Sequence, residues 1–551
     1  MCGLFGYISK NKCKNIHELN IDGIRNRGPD NIGSYQHEGV ALIHSRLSVI
    51  DTKETSNQPL QNGDLVLICN GEIYNYKQIL SEDKNYHPLS GSDCEAIFFI
   101  YRKYGLDGLS KLDGMYSFVL FDKSRERVYF HRDRIGKKPL FYFFDEHTLI
   151  FSSNVNAVKD NLKQSDVSIC NMQVSFYLEN GFVHPSKSIY SEIKPILPGE
   201  ILEIDLVKFK LKRIAILERN KYENTSGFNE ENIIKNIEDL LEGAISKRIA
   251  GIDQPVLIYS GGIDSSLLAI EMQKKNNMLA LVSLKQFHRK MNDEPYARYL
   301  SKKLGKKINW VYPFKNFYSR IESAISSLDQ PFAQFSYYFL VMLTLEAKKF
   351  GNVLFTGDGA DEVFFGYRKF NEWVGCKTNA RYNSDSLSAG FPLSDYGYKQ
   401  RITDMIGHGM VKVDKATAEY GMEARCPFLD KELVDYVSTL PQSFWMAHRD
   451  EIKYPLKKIL LRKGLNDKFV NRRKLGFSYP FRIMLLPKFN AIAEYINNGI
   501  PRLEPLGIVL SKKVSIKDMF NNLTYYWRVY ILLRYIDEHN GEYGLILRIS
   551  K

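Results

Sequence analysis

Near residue 220 the hydrophobic period of the chain changes, and that change decides what it can fold into. Up to about residue 210 the apolar residues fall in short runs at 40–43, 65–68, 116–121, 128–131, 140–143 and 149–151, separated by breaks that carry glycine and asparagine. Runs of that length between turn residues predict a β-rich domain. One helical spacing, at 93–104, lies among them. Residues 211–228 read as the linker, ending in a stretch (220–228) that is mostly polar and has no apolar period. Beyond it, 229–248 has helical spacing, 255–259 reads as a strand and a helix starts near Ser265. Strands at 279–284 and 352–355 then alternate with helices, which argues a parallel sheet covered on both faces. After Val363 the pattern is almost wholly helical. A chain of 551 residues is in any case too long for one core. The reading is a first domain at 1–210 and a second at 229–551.

Composition removes several classes of function. With 44% hydrophobic residues the chain has ample material for cores and is not disordered. Its longest apolar stretches, such as 338–345, are too short to span a membrane, and no basic-then-apolar leader precedes Cys2. Cytoplasmic residence with no membrane partner is the expectation. The seven cysteines are scattered without CxxC spacing and away from the histidines, so neither a disulfide framework nor a zinc site is indicated. The net charge of +13 is spread along the chain with no aromatic–basic module. That suits sites for anionic phosphates better than a nucleic-acid partner.

Cys2 is the first residue with chemistry of its own. If Met1 is trimmed, a thiol and a free α-amine sit on one residue. An α-amine titrates at about 7.7–8.0, low enough to take the proton of its own thiol near neutral pH. Such a unit is a nucleophile for acyl transfer that needs no histidine.

Two further motifs follow strands. After the run at 255–259 comes Ser260-Gly261-Gly262-Ile263-Asp264-Ser265-Ser266, then a helical pattern. A strand, a glycine turn and a helix start make an anion site, because backbone N–H groups and the helix dipole face the ligand and glycine lets it approach. The serines add hydroxyl donors. No GxxxxGK[ST] is present, so this is not a Walker A loop. After the run at 352–355 comes Thr356-Gly357-Asp358-Gly359-Ala360-Asp361-Glu362. Three carboxylates in five residues repel one another, but they suit Mg²⁺ held against nucleotide phosphates.

Taken together these segments resemble the glutamine-hydrolysing asparagine synthetase family nearly end to end. SGGxDS is similar to the pyrophosphate loop of ATP pyrophosphatases. The first half is similar to a class II glutamine amidotransferase domain at Cys2–Gly6, Arg27–Asp30, Arg46–Ser48, Asn70–Asn75, Gly91–Glu95 and Arg132-Asp133. The second half matches the synthetase domain at Asp293–Arg298, Gly421–Asp430 and Lys453–Lys457 as well as at the two loops. The resemblance implies an α+β Ntn-type glutaminase domain of layered antiparallel sheets with helices. An α/β parallel-sheet ATP-pyrophosphatase-like domain with a helical carboxyl-terminal region would follow.

By the same resemblance Cys2 attacks glutamine, Asn70 and Gly71 supply the oxyanion hole, and Arg46, Glu72 and Asp93 grip the α-carboxylate and α-amine. Ile258, Ser260, Gly261, Gly262, Asp264, Ser265, Ser266, Leu284, Thr356 and Gly357 would bind ATP. Asp264, Asp361 and Glu362 would hold Mg²⁺, Asp358 would serve as base and Lys453 as a cation for developing phosphate charge. ATP, Mg²⁺, glutamine and aspartate or another small carboxylate are the implied cofactors and partners, and a homodimer is compatible with the reading.

The implied reaction makes asparagine, glutamate, AMP and pyrophosphate from aspartate, glutamine, ATP and water. Its nearest rival is a sister amidotransferase acting on another carboxylate in polysaccharide, cell-wall or secondary-metabolite biosynthesis. A silent regulator would not need Cys2, Asp264, Asp361 and Glu362 all intact. A nucleic-acid-modifying ATP pyrophosphatase would not need a glutaminase half. The sequence departs from the family pattern at Asn26 (more often histidine), at Ser152-Ser153-Asn154-Val155 (usually alanine–serine–glutamate), at Asp358 (often glutamate) and at Lys285 (often glycine). The aromatic run Tyr525-Tyr526-Trp527 reads as helix packing.

Overall fold

The protein is seen here as a computed structural model that describes residues 1–11, 14–217, 229–286, 293–367, 405–440, 442–448, 451–472, 480–510 and 512–540. The polar stretch at 220–228 and the tail beyond residue 540 lie outside the described residues.

The first domain stacks two six-stranded antiparallel sheets. One runs in the order Lys194–Pro195, Phe141–Phe144, Thr148–Ser152, Gly3–Ser9, Val40–Arg46, Asn31–His37. The other runs Lys210–Ile216, Glu200–Asp205, Arg127–Arg132, Gly114–Asp122, Leu65–Ile73, Leu60–Asn62. Successive side chains point to opposite faces, so the continuously buried central strands make both faces of each sheet apolar. Leu4, Ile8, Val40, Leu42, Val66 and Ile68 point between the sheets, with Phe130 edge-on to Phe151 at 5.0 Å. Phe5, Tyr7, Ala41 and Ile43 point outward, where the helices Val155–Lys159 and Asn171–Asn180 cover them. Leu67, Cys69, Phe118 and Leu120 meet the helix Glu95–Tyr104 on the opposite outer face. Four layers result, and each fully buried phenylalanine contributes roughly 2–3 kcal/mol of apolar burial. Strand Lys210–Ile216 pairs along Glu200–Asp205, so a linker drawn from residue 211 starts inside the sheet.

The second domain is built on five parallel strands in the order Ile308–Val311, Ala280–Leu284, Val256–Ile258, Val353–Phe355, Glu423–Arg425. The chain grows outward in one direction and then returns to the other side of Val256–Ile258. A cleft opens at such a switch point, beyond the carboxyl ends of the two central strands. The Ser260 loop follows one of those strands and the Thr356 loop the other, which is why segments far apart in sequence meet. Among the described residues after Val363 the elements are helical except Glu423–Arg425, an edge strand of three residues, two of them charged. The helix Leu523–Asn540 packs Trp527 at 1% exposure against Phe481 and Tyr338, as the aromatic run suggested.

Candidate active sites

In the first domain, Gly3 pairs with Ser45, so the register carries Cys2 to the strand end that bears Arg46. Leu47 N donates to the Cys2 Sγ at 3.5 Å, and the Cys2 carbonyl accepts from Arg27 Nε at 3.2 Å. Burial pushes the thiol up, while the nearby terminal amine and the Leu47 hydrogen bond act against that rise. The amine of Met1 is itself pushed down to about 5 by burial. It donates to the carbonyl of Met422 in the second domain at 3.2 Å.

His44 ties this edge to the facing sheet through a 3.0 Å hydrogen bond to the Cys69 carbonyl. Burial lowers its pKa to about 3, so its neutral ring donates from Nε2 and is no base for Cys2. Beyond Cys69, Asn70 is fully buried with no partner for either amide atom. Gly71 has φ +143°, and a Cβ there would lie 1.9 Å from the Met115 carbonyl, so only glycine fits. Arg46 is fixed by the loop that follows it, donating to Lys53 O at 2.9 Å, to Asn57 Oδ1 at 2.7 Å and to Asp51 O. Asp93 accepts from Ile73 N at 2.6 Å, and burial raises its carboxyl to about 6. The Glu72 carboxylate lies 2.6 Å from Arg425, a second-domain residue with no exposed surface.

In the second domain, a cavity of about 350 Å³ opens at the switch point. Of the residues expected to bind ATP, Ile258, Ser260, Gly262, Asp264, Ser265, Thr356 and Gly357 line it; Gly261, Ser266 and Leu284 do not. Gly261 has φ +80°, and any Cβ would sit 2.8 Å from the backbone of Ala297 on the packed helix Glu294–Lys303. Gly262 caps the helix Ile263–Lys275, whose first turn faces the cavity. Lys453 adopts φ 56°, a left-handed conformation that costs a lysine about 1–2 kcal/mol. That strain places its buried ammonium between Asp264 and Asp361, the latter at 2.7 Å. Asp358 faces Lys412 at 2.8 Å. Glu362 is buried, accepts from Tyr367 OH at 3.2 Å and is raised to about 7 by burial and by Asp361.

No group of three ligating side chains among the described residues encloses a metal ion. Asp264 and Asp361, hard oxygen donors beside the helix start, fit the mode in which Mg²⁺ takes one or two carboxylates and completes its shell with phosphate oxygens.

Several residues escaped the sequence reading. Arg472 lines the cavity, donates to the Gly261 carbonyl and stacks 4.1 Å above Tyr296. Arg27 makes a bidentate pair with Asp414 at 2.9 and 3.1 Å. Arg27 lay inside a matched segment; Lys412 and Asp414 lay in none. The departures also find places. Asn26 donates to Glu419 across the boundary at 2.9 Å. Ser152 and Ser153 bond the backbone of Leu4, and Asn154 caps Val155–Lys159. Lys285 turns to Glu294 and to the Trp310 ring, 5.3 Å away.

An amino-terminal thiol in a four-layer antiparallel domain, joined to a phosphate-type loop at a parallel-sheet switch point, defines a two-site amidotransferase. Comparison with known families agrees. Residues 1–214 match a glutamine amidotransferase domain, and residues 236–406 and 400–520 match asparagine synthase. The chain belongs to the asparagine synthetase family. It is 26% identical to glutamine-hydrolysing asparagine synthetase 1 of Bacillus subtilis, with 91% of this chain and 90% of that protein covered. It is 26% identical to the Gallus gallus enzyme (96% and 92%) and 25% identical to enzyme 1 of Arabidopsis thaliana (85% and 74%).

Proposed function

We propose that this protein is a glutamine-dependent asparagine synthetase of the cytoplasm. The observation that carries the reading is the joining of two chemically distinct sites by one short segment of chain. The Met422 carbonyl meets the terminal amine beside Cys2, and Cys426 Sγ meets Thr356 Oγ1 at 3.3 Å beside Asp358.

Loss of Met1 transfers the α-amine to Cys2. The amine takes the thiol proton and Sγ attacks the glutamine amide, with Asn70 and Gly71 facing the oxyanion. Arg46 takes the α-carboxylate, and Glu72 and Asp93 take the α-ammonium. Ammonia leaves, and water later releases glutamate from the thioester. In the second site the Ser260–Ser266 loop and the helix start hold the ATP phosphates. The aspartate side-chain carboxylate attacks the α-phosphorus, pyrophosphate leaves, and Lys453 balances the charge that builds up. Asp264 and Asp361, with Glu362 beside them, would hold Mg²⁺, which supplies charge neutralisation and orientation of the phosphates. Ammonia then attacks the acyl-adenylate near Asp358, which receives a proton, and AMP departs. Met422, Ala424 and Cys426 are all buried. They would line a dry path for ammonia, which water would protonate.

The direct test is pyrophosphate release from ATP, Mg²⁺ and ammonium with and without aspartate, with asparagine followed by mass. Aspartate-dependent pyrophosphate with matching asparagine supports the reading. Glutaminase activity without it moves the acceptor to another carboxylate.

A further inference from the structure

A second cavity, of about 150 Å³, lies at the domain boundary and shares no lining residue with the nucleotide cavity or with the residues expected to hold glutamine. Its floor is apolar, with Leu109, Leu112 and Ile135 buried there. Three cations stand on the wall. Arg134 is paired with Asp435 at 2.7 Å. Lys137 and Lys431 each donate to a backbone carbonyl, Gly114 O at 3.0 Å and Ser110 O at 2.8 Å, and among the described residues neither makes an ion pair. Burial pushes both ammoniums down, and the carboxylates farther off do not make up the loss. Two carboxylates share the wall. Asp133 is taken up by the backbone, accepting from Lys137 N at 2.8 Å and Ile135 N at 3.1 Å. Asp113 is 7% exposed; its Oδ2 meets Lys247 at 3.0 Å, and its Oδ1 has no hydrogen-bond partner. His131 adds no charge, because burial lowers it to about 4; its Nδ1 donates to Glu200 O and its Nε2 accepts from Tyr116 OH.

We infer that this cavity is a binding site for a small α-amino acid, the ligand carboxylate lying on Lys137 and Lys431 and its ammonium on Asp113. The unmet groups on the wall are of both kinds: two ammoniums need an acceptor, and one carboxylate oxygen needs a donor. A simple anion satisfies only the first, and a simple cation only the second. A zwitterion whose charges sit on neighbouring atoms satisfies both in a space this small, and the leucine floor takes a short aliphatic side chain. The wall is built from both domains. Lys431 opens the helix Lys431–Thr439 of the second, and Asp113 leads into the strand Gly114–Asp122 of the first. That strand sets Tyr116 opposite Gly71, and the Asp113 carbonyl accepts from Tyr74 N at 2.7 Å. The site is therefore one strand removed from Asn70-Gly71 and separate from the glutamine pocket proposed above.

The test is calorimetric titration of the full-length protein with 2-aminobutyrate, beside butyrate, which lacks the ammonium, and butylamine, which lacks the carboxylate. Cys2 is first alkylated with a diazoketone analogue of glutamine, so that the glutamine pocket stays filled. 2-Aminobutyrate is expected to bind at least tenfold tighter than either fragment. Lys431→Met and Lys137→Met should each weaken it at least tenfold, while unalkylated samples of both keep ammonium-driven pyrophosphate release within twofold of wild type. Asp113→Asn, which removes the charge and keeps the shape, should weaken 2-aminobutyrate to the level of butyrate. If Asp113→Asn does not fold, because Lys247 loses its partner, the two lysine variants decide by the same criteria. Absence of binding overturns the proposal. So does butyrate binding as tightly as 2-aminobutyrate, which would mark an anion site with water on Asp113. An affinity unchanged in Lys431→Met also overturns it, since the ligand would then lie elsewhere. Failure of the glutamine reading shows separately, as a Cys2 that the diazoketone does not label, and the unlabelled protein is then titrated to the same criteria.

Discussion

Cys2 gains little reactivity from its surroundings: burial raises its thiol, and the buried terminal amine beside it and the Leu47 hydrogen bond oppose the rise. Cys2→Ala should therefore abolish glutamate release, by at least a thousandfold, while ammonium-driven synthesis stays within a few fold; equal loss of both would refute the nucleophile. Asp93 makes a pH prediction. Its carboxyl is raised to about 6, so it is an anion above that pH and neutral below. Only the anion takes an α-ammonium, so KM for glutamine should rise about tenfold per pH unit as pH falls below 6. Asp93→Asn should show a high KM with that limb gone. A flat KM from pH 7 to 5 in the wild-type protein would show that Asp93 does not hold the substrate. Such single residues were readable from the sequence where their motifs are local, as with Asn70-Gly71 and Asp93. The partners that set their behaviour were not, because Arg425 and Arg27–Asp414 join segments from different domains that no spacing rule connects.

At the scale of elements, the second site was legible because its parts are contiguous: a short apolar strand, a glycine turn and a helix start. Asp264→Asn should spare glutamate release but stop pyrophosphate release, and AMP formation at the wild-type rate would refute its placing. Lys453→Ala removes the buried ammonium and leaves Asp264 and Asp361 facing each other. It should cost adenylation at least a hundredfold and lower the melting temperature, since alanine keeps the left-handed backbone strain and the two carboxylates lose their buried partner; intact pyrophosphate release would contradict this. Other elements gave no periodic signal. Glu423–Arg425 is three residues with two charges, buried only because both flanks are protein. Lys412 follows a π-helical turn at Met405–Met410, a distortion with no sequence period of its own but one often found at functional sites.

At the scale of the molecule, the proposed function has one chain release ammonia from glutamine at one site and use it at another. The Arg27–Asp414 pair is 8% exposed on each side and lies beside the Cys2 carbonyl, where it closes the boundary. Arg27→Met leaves Asp414 buried without its partner, at a cost of about 3 kcal/mol. It should lower the melting temperature and release glutamate in excess of asparagine; a one-to-one ratio would show that the pair does not seal the path. The most direct test of the account is incorporation of the amide nitrogen of ¹⁵N-glutamine into asparagine, with ATP, aspartate and a large excess of unlabelled ammonium. The account predicts asparagine that carries the label almost undiluted, equimolar with glutamate and pyrophosphate. Asparagine labelled only in proportion to the mixed ammonia pool, or no asparagine at all, would contradict it.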